Sequence, residues 1–396
     1  MPGGPVPADA RAVLTEDLRS QLLTRPMVLL LVLAFGAFCG FYLLLSVVPL
    51  YASASGVLSA GLSTGALMLA TVAIEPVVPR LSARFGYRAV LALGMVLLGA
   101  PAFALALSPA MPLVLAVALA RGAGLGIVVV VAVAMVAELA APERRGEALG
   151  LYGIAVGVPP IAALPLGVWL SAEIGYGPLF AAGALLPLVT LPAVLGLPPR
   201  RAPEPPRPGA GPSGMLRPTL IFGATTFAAG VFVTFLPLAV PAETRPVAAV
   251  ALLVQSAVTP IARWAAGRFG DRYGPGRLLI PSVLITAAGT AATAVLGSPV
   301  AVIAGMAVFG MGFGMAQNVT LAVMFDRVPE SAFGRVSVLW NIAYDGGLGA
   351  GAVGFGLVVG GTGYPVAFAA TAALLFAALL PAWRDQRKGS SLERVV

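Results

Sequence analysis

The chain has 396 residues, 59% of them hydrophobic and 10% charged, with a mean hydropathy of +0.96 and a formal net charge of +8. Soluble domains carry about a quarter charged residues, so this chain cannot cover a water-facing surface, and 48 Gly and 35 Pro in so apolar a sequence fit membrane helices rather than disorder. One cysteine, Cys39, excludes an intramolecular disulfide, and the absence of histidine removes the commonest metal ligand and catalytic base, so neither metal nor other cofactor is expected.

In chain order, residues 1–25 contain Asp9, Arg11, Glu16, Asp17 and Arg19 with no apolar core, which predicts a soluble tail rather than a cleaved signal. Crossing the hydrocarbon core takes about 20 apolar residues. Twelve stretches meet that length, at 27–50, 56–78, 88–107, 111–136, 147–170, 176–196, 217–239, 246–267, 277–297, 299–324, 333–359 and 363–383. Between the sixth and seventh, PPRRAPEPPRPGAGPSG replaces apolar residues with Pro, Gly and Arg, the composition of a semi-rigid linker. The predicted organisation is a tail (1–25), a six-helix bundle (26–197), a Pro/Arg-rich linker (198–216), a second six-helix bundle (217–383) and a tail (384–396).

An even number of crossings puts both termini on one side. The clusters at Arg80, Arg84 and Arg88, at Arg144 and Arg145, from Arg200 to Arg217, from Arg268 to Arg277, at Arg327 and Arg335, and from Arg384 to Arg394 all share that side, while Arg245 alone lies opposite. By the positive-inside rule both termini are cytoplasmic in a multi-pass protein of the cell membrane. The excess positive charge is thereby a topological signal, and nucleic acid is not needed as a partner.

A shift of 188 residues lays the second half on the first: Pro49 on Pro237, Arg84 on Arg272, Gly86 on Gly274, Gly124 on Gly312, Gly126 on Gly314, Gly175 on Gly363, Phe180 on Phe368. One offset without drift indicates duplication. Six crossings per copy give both copies the same orientation, with the repeat axis along the membrane normal.

The loop after span eight reads Gly267, Arg268, Phe269, Gly270, Asp271, Arg272, Tyr273, Gly274, and its counterpart after span two contains Arg80, Arg84, Gly86 and Arg88 with Ala83 at the acidic position. This resembles the signature of the major facilitator superfamily, in the loop where that family carries it and in both halves. Arg121 in ALARGAGLG of span four is similar to the family's arginine motif, and GIAVGVPPIAALPLG of span five to a degraded form of the drug-antiporter motif, with Val158, Pro159 and Pro160 where a Gly-Pro pair is expected. The resemblance covers residues 27–383 and is closest to the 12-helix drug:proton antiporter-like efflux members. It implies an all-α membrane fold of twelve helices in two pseudo-symmetric bundles, a site near the midplane, and alternating access by rocking of the halves. It also implies that Asp271 latches the cytoplasmic ends by meeting the N-terminus of span five, gaining about 0.3–1 kcal/mol from the helix dipole, while Ala83 cannot make the counterpart. Arg84, Gly86, Gly267, Asp271, Arg272 and Gly274 are the expected cytoplasmic gate.

Ionisable residues inside a bilayer cost at least about 2.5–3.5 kcal/mol, so each asks for a partner or a role. Asp345 and Arg121 are predicted about 15 Å deep, at 1.5 Å per residue, with opposite signs in opposite halves. Asp345 is the candidate carrier of a coupling proton, because carboxyls in low dielectric exchange protons nearer neutrality; a fixed ion pair with Arg121 is the alternative. Arg121 would bias proton release or hold an anionic substrate. Glu75 and Arg263 occupy equivalent positions of the two copies with opposite charges. That predicts either a gate pair across the pseudo-twofold axis, with Glu75 a second proton-coupling group, or an Arg263 that snorkels and a Glu75 paired in its own half.

For the cavity, the resemblance implies spans 1, 4, 7 and 10. Phe38, Tyr42 and Ser46 repeat at helical spacing on span one, and the shifted positions on span seven are Thr226, Gly230 and Thr234, so the two stripes are expected to face each other. Gln317 and Asn318 join from span ten, and Trp340, Asn341 and Tyr344 from span eleven. A mostly apolar, aromatic lining with one or two charges suits an amphipathic or cationic organic molecule. The expected function is export of such a small-molecule substrate by proton antiport, by a monomer in the lipid bilayer, and not an enzymatic one. Uptake of a sugar or organic acid is the alternative, and a non-transporting sensor or scaffold a third reading. No Gly-x-x-x-x-Gly-Lys phosphate loop is present, so ATP is not the energy source within this chain.

Overall fold

The computed structural model describes residues 23–141, 144–202, 214–241, 244–329, 332–380 and 382. Residues 1–22 of the expected first tail, the whole of the second and residues 203–213 of the linker fall outside them. Among the described residues every regular element is helical, and 11 helices are long and apolar enough to cross a membrane. They are α1 (Arg25–Ser55), α2 (Val57–Ile74), α3 (Tyr87–Ala106), α4 (Met111–Leu139), α5 (Arg145–Glu173), α6 (Tyr176–Gly196), α7 (Leu216–Ala239), α8 (Pro246–Tyr273), α9 (Pro275–Thr293), α10 (Pro299–Phe325) and α11 (Arg335–Thr362). The shorter apolar helix Tyr364–Ala377 is α12.

Several boundaries shift by a few residues from expectation, and two of the shifts have a local reason. Helix α2 stops at Ile74 instead of 78, because Pro76 lacks an N–H and its ring crowds the preceding turn; a separate short helix, Val78–Phe85, follows. The repeat position of Pro76 is Trp264, so α8 runs on through the whole motif Gly267–Tyr273 and ends only at Gly274. That motif is therefore helical rather than loop, and Arg263 sits well inside α8. Gly86 and Gly274, at φ 83° and 86°, occupy the left-handed region that a side chain disfavours, and so do Gly175 and Gly363 at 77° and 75°. Both pairs are repeat partners, so the duplication is preserved in the turns.

Packing repeats as well. Thr71 Oγ1 donates to the carbonyl oxygens of Leu67 and Gly122, each at 3.0 Å, and its partner Thr259 donates to those of Gln255 and Gly310, at 2.8 and 3.3 Å. In each half the fourth helix is the hub: α4 packs on α2 and α3, and α10 on α8 and α9. Glycines permit this approach, since a Cβ at Gly126 would stand 2.8 Å from the Thr71 carbonyl oxygen and one at Gly310 2.8 Å from that of Gln255. The two bundles meet through α2 against α11 and α5 against α8, again a symmetric pair. The described start of the linker is docked rather than free: Tyr87 N–H donates to the Arg200 carbonyl at 3.0 Å, and Ala202 N–H to that of Ser82 at 3.3 Å.

Candidate functional site

The halves touch toward the far end of the molecule, where α1 finishes. Ser46 Oγ donates to the Val233 carbonyl at 2.5 Å, Thr234 Oγ1 to Thr64 Oγ1 at 3.1 Å, and Gly61 of α2 lies against the Ala352 backbone of α11. The second part of α5, Pro159–Glu173, also packs on α8. Toward the near end, where α1 begins, the first part of α5 (Arg145–Gly157) packs on α1 and α4 of its own half. Gly146, Gly150 and Gly153 there face open space, and Ile154 is 62% exposed. The halves are joined at the far end while the near-end part of α5 packs within its own half, and the region between the halves on that side is termed the chamber.

This geometry sorts the expected site residues. Asp271 and Arg272 are exposed at the near end, and Arg272 rests over the Tyr273 ring at 5.7 Å. Among the described residues no ion pair or side-chain hydrogen bond joins Asp271 to the start of α5, where the latch is expected. Arg84 is likewise exposed and lies over the Phe85 ring at 5.2 Å. Gly86 and Gly274 serve as helix ends, and Gly267 faces Asn318, whose Nδ2 would stand 3.1 Å from a Cβ there. Asn318 thus points to α8 and not into the chamber.

The stripe on α7 also turns away from its expected partner. Thr226 Oγ1 donates to the Ala343 carbonyl of α11 at 2.9 Å, and Gly230 lies against the Leu348 backbone. Thr226, Thr234 and Ser46 are closed into helix contacts. Of the stripe on α1, Phe38 and Tyr42 remain half-buried, with ring centroids 6.1 Å apart.

Around the chamber the second half presents an aromatic wall. Phe222 stacks on Trp340 at 4.5 Å, Trp340 on Tyr344 at 5.9 Å, and Phe313 lies 6.3 Å from Tyr344. Trp340 Nε1 donates to Thr320 Oγ1 at 3.2 Å, which fixes the indole plane. The hydroxyls of Tyr344 and Tyr42 approach each other across the two halves, and Tyr152 of α5 lies in electrostatic range of Tyr42. Asn341 and Asp345 are half-buried on the same helix as Trp340. Phe222, Phe313 and Tyr152 are additions to the sequence-based list. Two had a signal: Phe222 is one turn before Thr226, and Tyr152 is the repeat partner of Trp340.

The four intramembrane charges pair differently from both expectations. Arg121 is 1% exposed, and its guanidinium donates to the carbonyl oxygens of Leu98 at 3.2 Å and Gly40 at 3.3 Å. It lines a small cavity with Ser63, Thr64 and Leu67 inside the first bundle, and among the described residues no carboxylate forms an ion pair with it. The Arg121–Asp345 ion pair, the alternative to a proton-carrying Asp345, is therefore absent among the described residues, since Arg121 is turned into its own bundle. Arg263 Nη1 donates to Gln317 Oε1 at 3.3 Å, across α8 and α10, and lies in electrostatic range of Tyr344. No Glu75–Arg263 ion pair forms. Glu75 is instead 6% exposed, in electrostatic range of Asp345, with Oε1 lacking a hydrogen-bond partner.

Comparison with known proteins agrees with this architecture. The sequence profile described as Major Facilitator Superfamily matches residues 30–352 and, again, 219–394. No curated protein sequence matches. Among solved structures, the chain is similar to a POT family transporter in complex with 5-aminolevulinic acid (TM-score 0.77, 11% identity, 92% of this chain and 96% of that one). It is also similar to a bacterial homolog of the human lysosomal transporter Spinster, in an inward-facing and occupied conformation (0.74, 16%, 97% and 98%). A D-xylose-proton symporter follows at 0.73 and 14% identity, over 90% of this chain and 96% of that one.

Proposed function

The chain belongs to the major facilitator superfamily, whose members are membrane transporters, and we propose that it exports a small amphipathic or cationic organic compound across the cell membrane by proton antiport. The observation that carries this reading is Asp345. Its half-buried carboxyl has no ion-pair partner among the described residues and lies in electrostatic range of the Tyr42 and Tyr344 hydroxyls, the Tyr344 ring being stacked on Trp340. A carboxylate next to an aromatic wall offers an organic cation both charge and π-face attraction, and a proton on that carboxyl competes with the cation. Competition for one group couples the two fluxes in opposite directions.

The sidedness of the basic loops supports a cytoplasmic near end, so the conformation described here is read as inward-facing, with Asp345 open to the cytoplasm. In the outward-facing state the near ends close, and Asp271 then comes within reach of the α5 N-terminus. Arg84, Gly86, Gly267, Arg272 and Gly274 are read with it as the gate, and Phe38, Tyr42, Gln317 and Asn341 with the aromatic wall as the binding chamber.

Uptake of a sugar or organic acid is the second reading, favoured by the exposed Arg263 and its amide partner Gln317. It does not draw support from Arg121, whose guanidinium is closed onto two carbonyl oxygens. The test is transport of ethidium, and in parallel of radiolabelled xylose, into and out of proteoliposomes under an imposed pH gradient. Ethidium moving against the proton flux supports export. Xylose moving with it and no ethidium movement would establish uptake instead.

A further inference from the structure

The contact between α2 and α11 runs along two stripes. Gly61, Gly65 and Met68 on α2 meet Ala352, Val353 and Gly349 on α11: a Cβ at Gly61 or Gly65 would fall on Ala352 or Val353, and one at Gly349 would stand 2.8 Å from Met68 Cβ. The helices are antiparallel, so following both stripes toward the near end leads from Met68 two turns on to position 75, and from Gly349 one turn back to position 345. Each stripe thus ends on a carboxyl, Glu75 from the first half and Asp345 from the second. On the register that sets Met68 against Gly349, Val72 is level with Asp345 and Glu75 stands one turn nearer the end, with the two carboxyls in electrostatic range of each other.

Glu75 is 94% buried by its 6% exposure, and its Oε1 meets no hydrogen-bond donor. A buried carboxylate oxygen without a donor is costly, and a second carboxylate in electrostatic range adds mutual repulsion. A proton on Glu75 removes both penalties, and one on Asp345 removes the repulsion. The surrounding groups do not offer a substitute cation. From α1 and α11 come the hydroxyls of Tyr42 and Tyr344, and from α5 that of Tyr152, which is itself 7% exposed and without a partner. From α8 comes Arg263, bonded to Gln317, and from α4 Arg121, bonded to Leu98 and Gly40. Beyond the end of α2 the nearest cations in sequence, Arg80 and Arg84, sit on the short helix Val78–Phe85.

We propose that Glu75 and Asp345 form one binding site for a single proton, built of one carboxyl from each half of the transporter. Because the two carboxyls belong to different bundles, the distance between them changes when the bundles rock. The proton is held best where α2 and α11 bring the acids together, so the site reads conformation as well as pH. Its part in coupling rests on the antiport reading above, in which Asp345 carries the proton. The site itself does not need a substrate to be detected.

The experiment is infrared pH-difference spectroscopy of the full-length protein in liposomes, following the carbonyl stretch of protonated carboxylic acids in wild type, Glu75→Gln and Asp345→Asn. Acids that share a proton titrate as a unit, so removing either is expected to displace the titration midpoint of the other by about one pH unit or more. Difference spectra of the two single variants that add up to the wild-type spectrum, each with an unmoved midpoint, would overturn the shared site. Coupling between two sites is reciprocal, so either variant alone decides the question if the other does not fold. Loss of gradient-driven ethidium transport in Asp345→Asn with unmoved midpoints would remove the pair and leave the antiport reading standing. Moved midpoints with normal gradient-driven transport in Asp345→Asn would do the reverse.

Discussion

Arg121 and Asp345 show what single residues contribute. Both announce themselves in the sequence by charge inside an apolar span, and the bilayer makes that signal strong. Their partners are not announced, because partner choice depends on how each helix is rotated about its axis, and a helix apolar on all sides gives no period from which to read rotation. Arg121 turns into its own bundle and holds the Leu98 carbonyl of α3 and the Gly40 carbonyl of α1, tying three helices together. Lysine carries the same charge but lacks the planar fork that serves two acceptors at once. Arg121→Lys is expected to lower stability by about 1.5–3 kcal/mol, the worth of a hydrogen bond to a charged group, seen as a reduced melting temperature in detergent. An unchanged melting temperature would mean that the two carbonyl contacts contribute nothing.

Helices are where the sequence is most legible. Span positions follow from hydropathy, and the repeat follows from one constant offset. Less legible was where α2 and α8 stop, since the break depends on Pro76 in one copy and its replacement by Trp264 in the other, against a background of prolines that helices here tolerate, such as Pro165, Pro187, Pro237 and Pro260. Glycines divide in the same way between packing and open positions. A Cβ at Gly122 would fall on the Leu67 carbonyl oxygen and one at Gly314 on that of Thr259, whereas Gly153 has nothing near it. Gly122→Val and Gly314→Val are each expected to push α4 from α2, or α10 from α8, and to abolish accumulation of folded protein by size-exclusion chromatography. Gly153→Ala is expected to leave the elution profile unchanged. Equal behaviour of Gly122→Val and Gly153→Ala would refute the packing account.

On the scale of the whole molecule, duplication predicts two like bundles but not which of their rocking states is adopted. A sequence carries the contacts of both states at once. The Asp271 latch and the Ser46–Val233 contact are each consistent with it, and among the described residues only the second is formed. If Asp271 stabilises the closed near end, Asp271→Asn shifts the balance toward the near-open state. A cysteine placed at Gly153 in a Cys39→Ala background is then expected to react several-fold faster with a membrane-impermeant maleimide applied from the near side. An unchanged labelling rate would detach Asp271 from the gate.

The proposed coupling of substrate to protons runs through Asp345. It is tested most directly by ethidium flux in proteoliposomes, comparing wild type and Asp345→Asn both under an imposed pH gradient and in gradient-free exchange. Wild type is expected to accumulate ethidium against its gradient when protons flow the other way, and Asp345→Asn to lose this accumulation by about tenfold for each pH unit imposed, roughly 1.4 kcal/mol per coupled proton, while still exchanging dye without a gradient. Full gradient-driven accumulation by Asp345→Asn would contradict it.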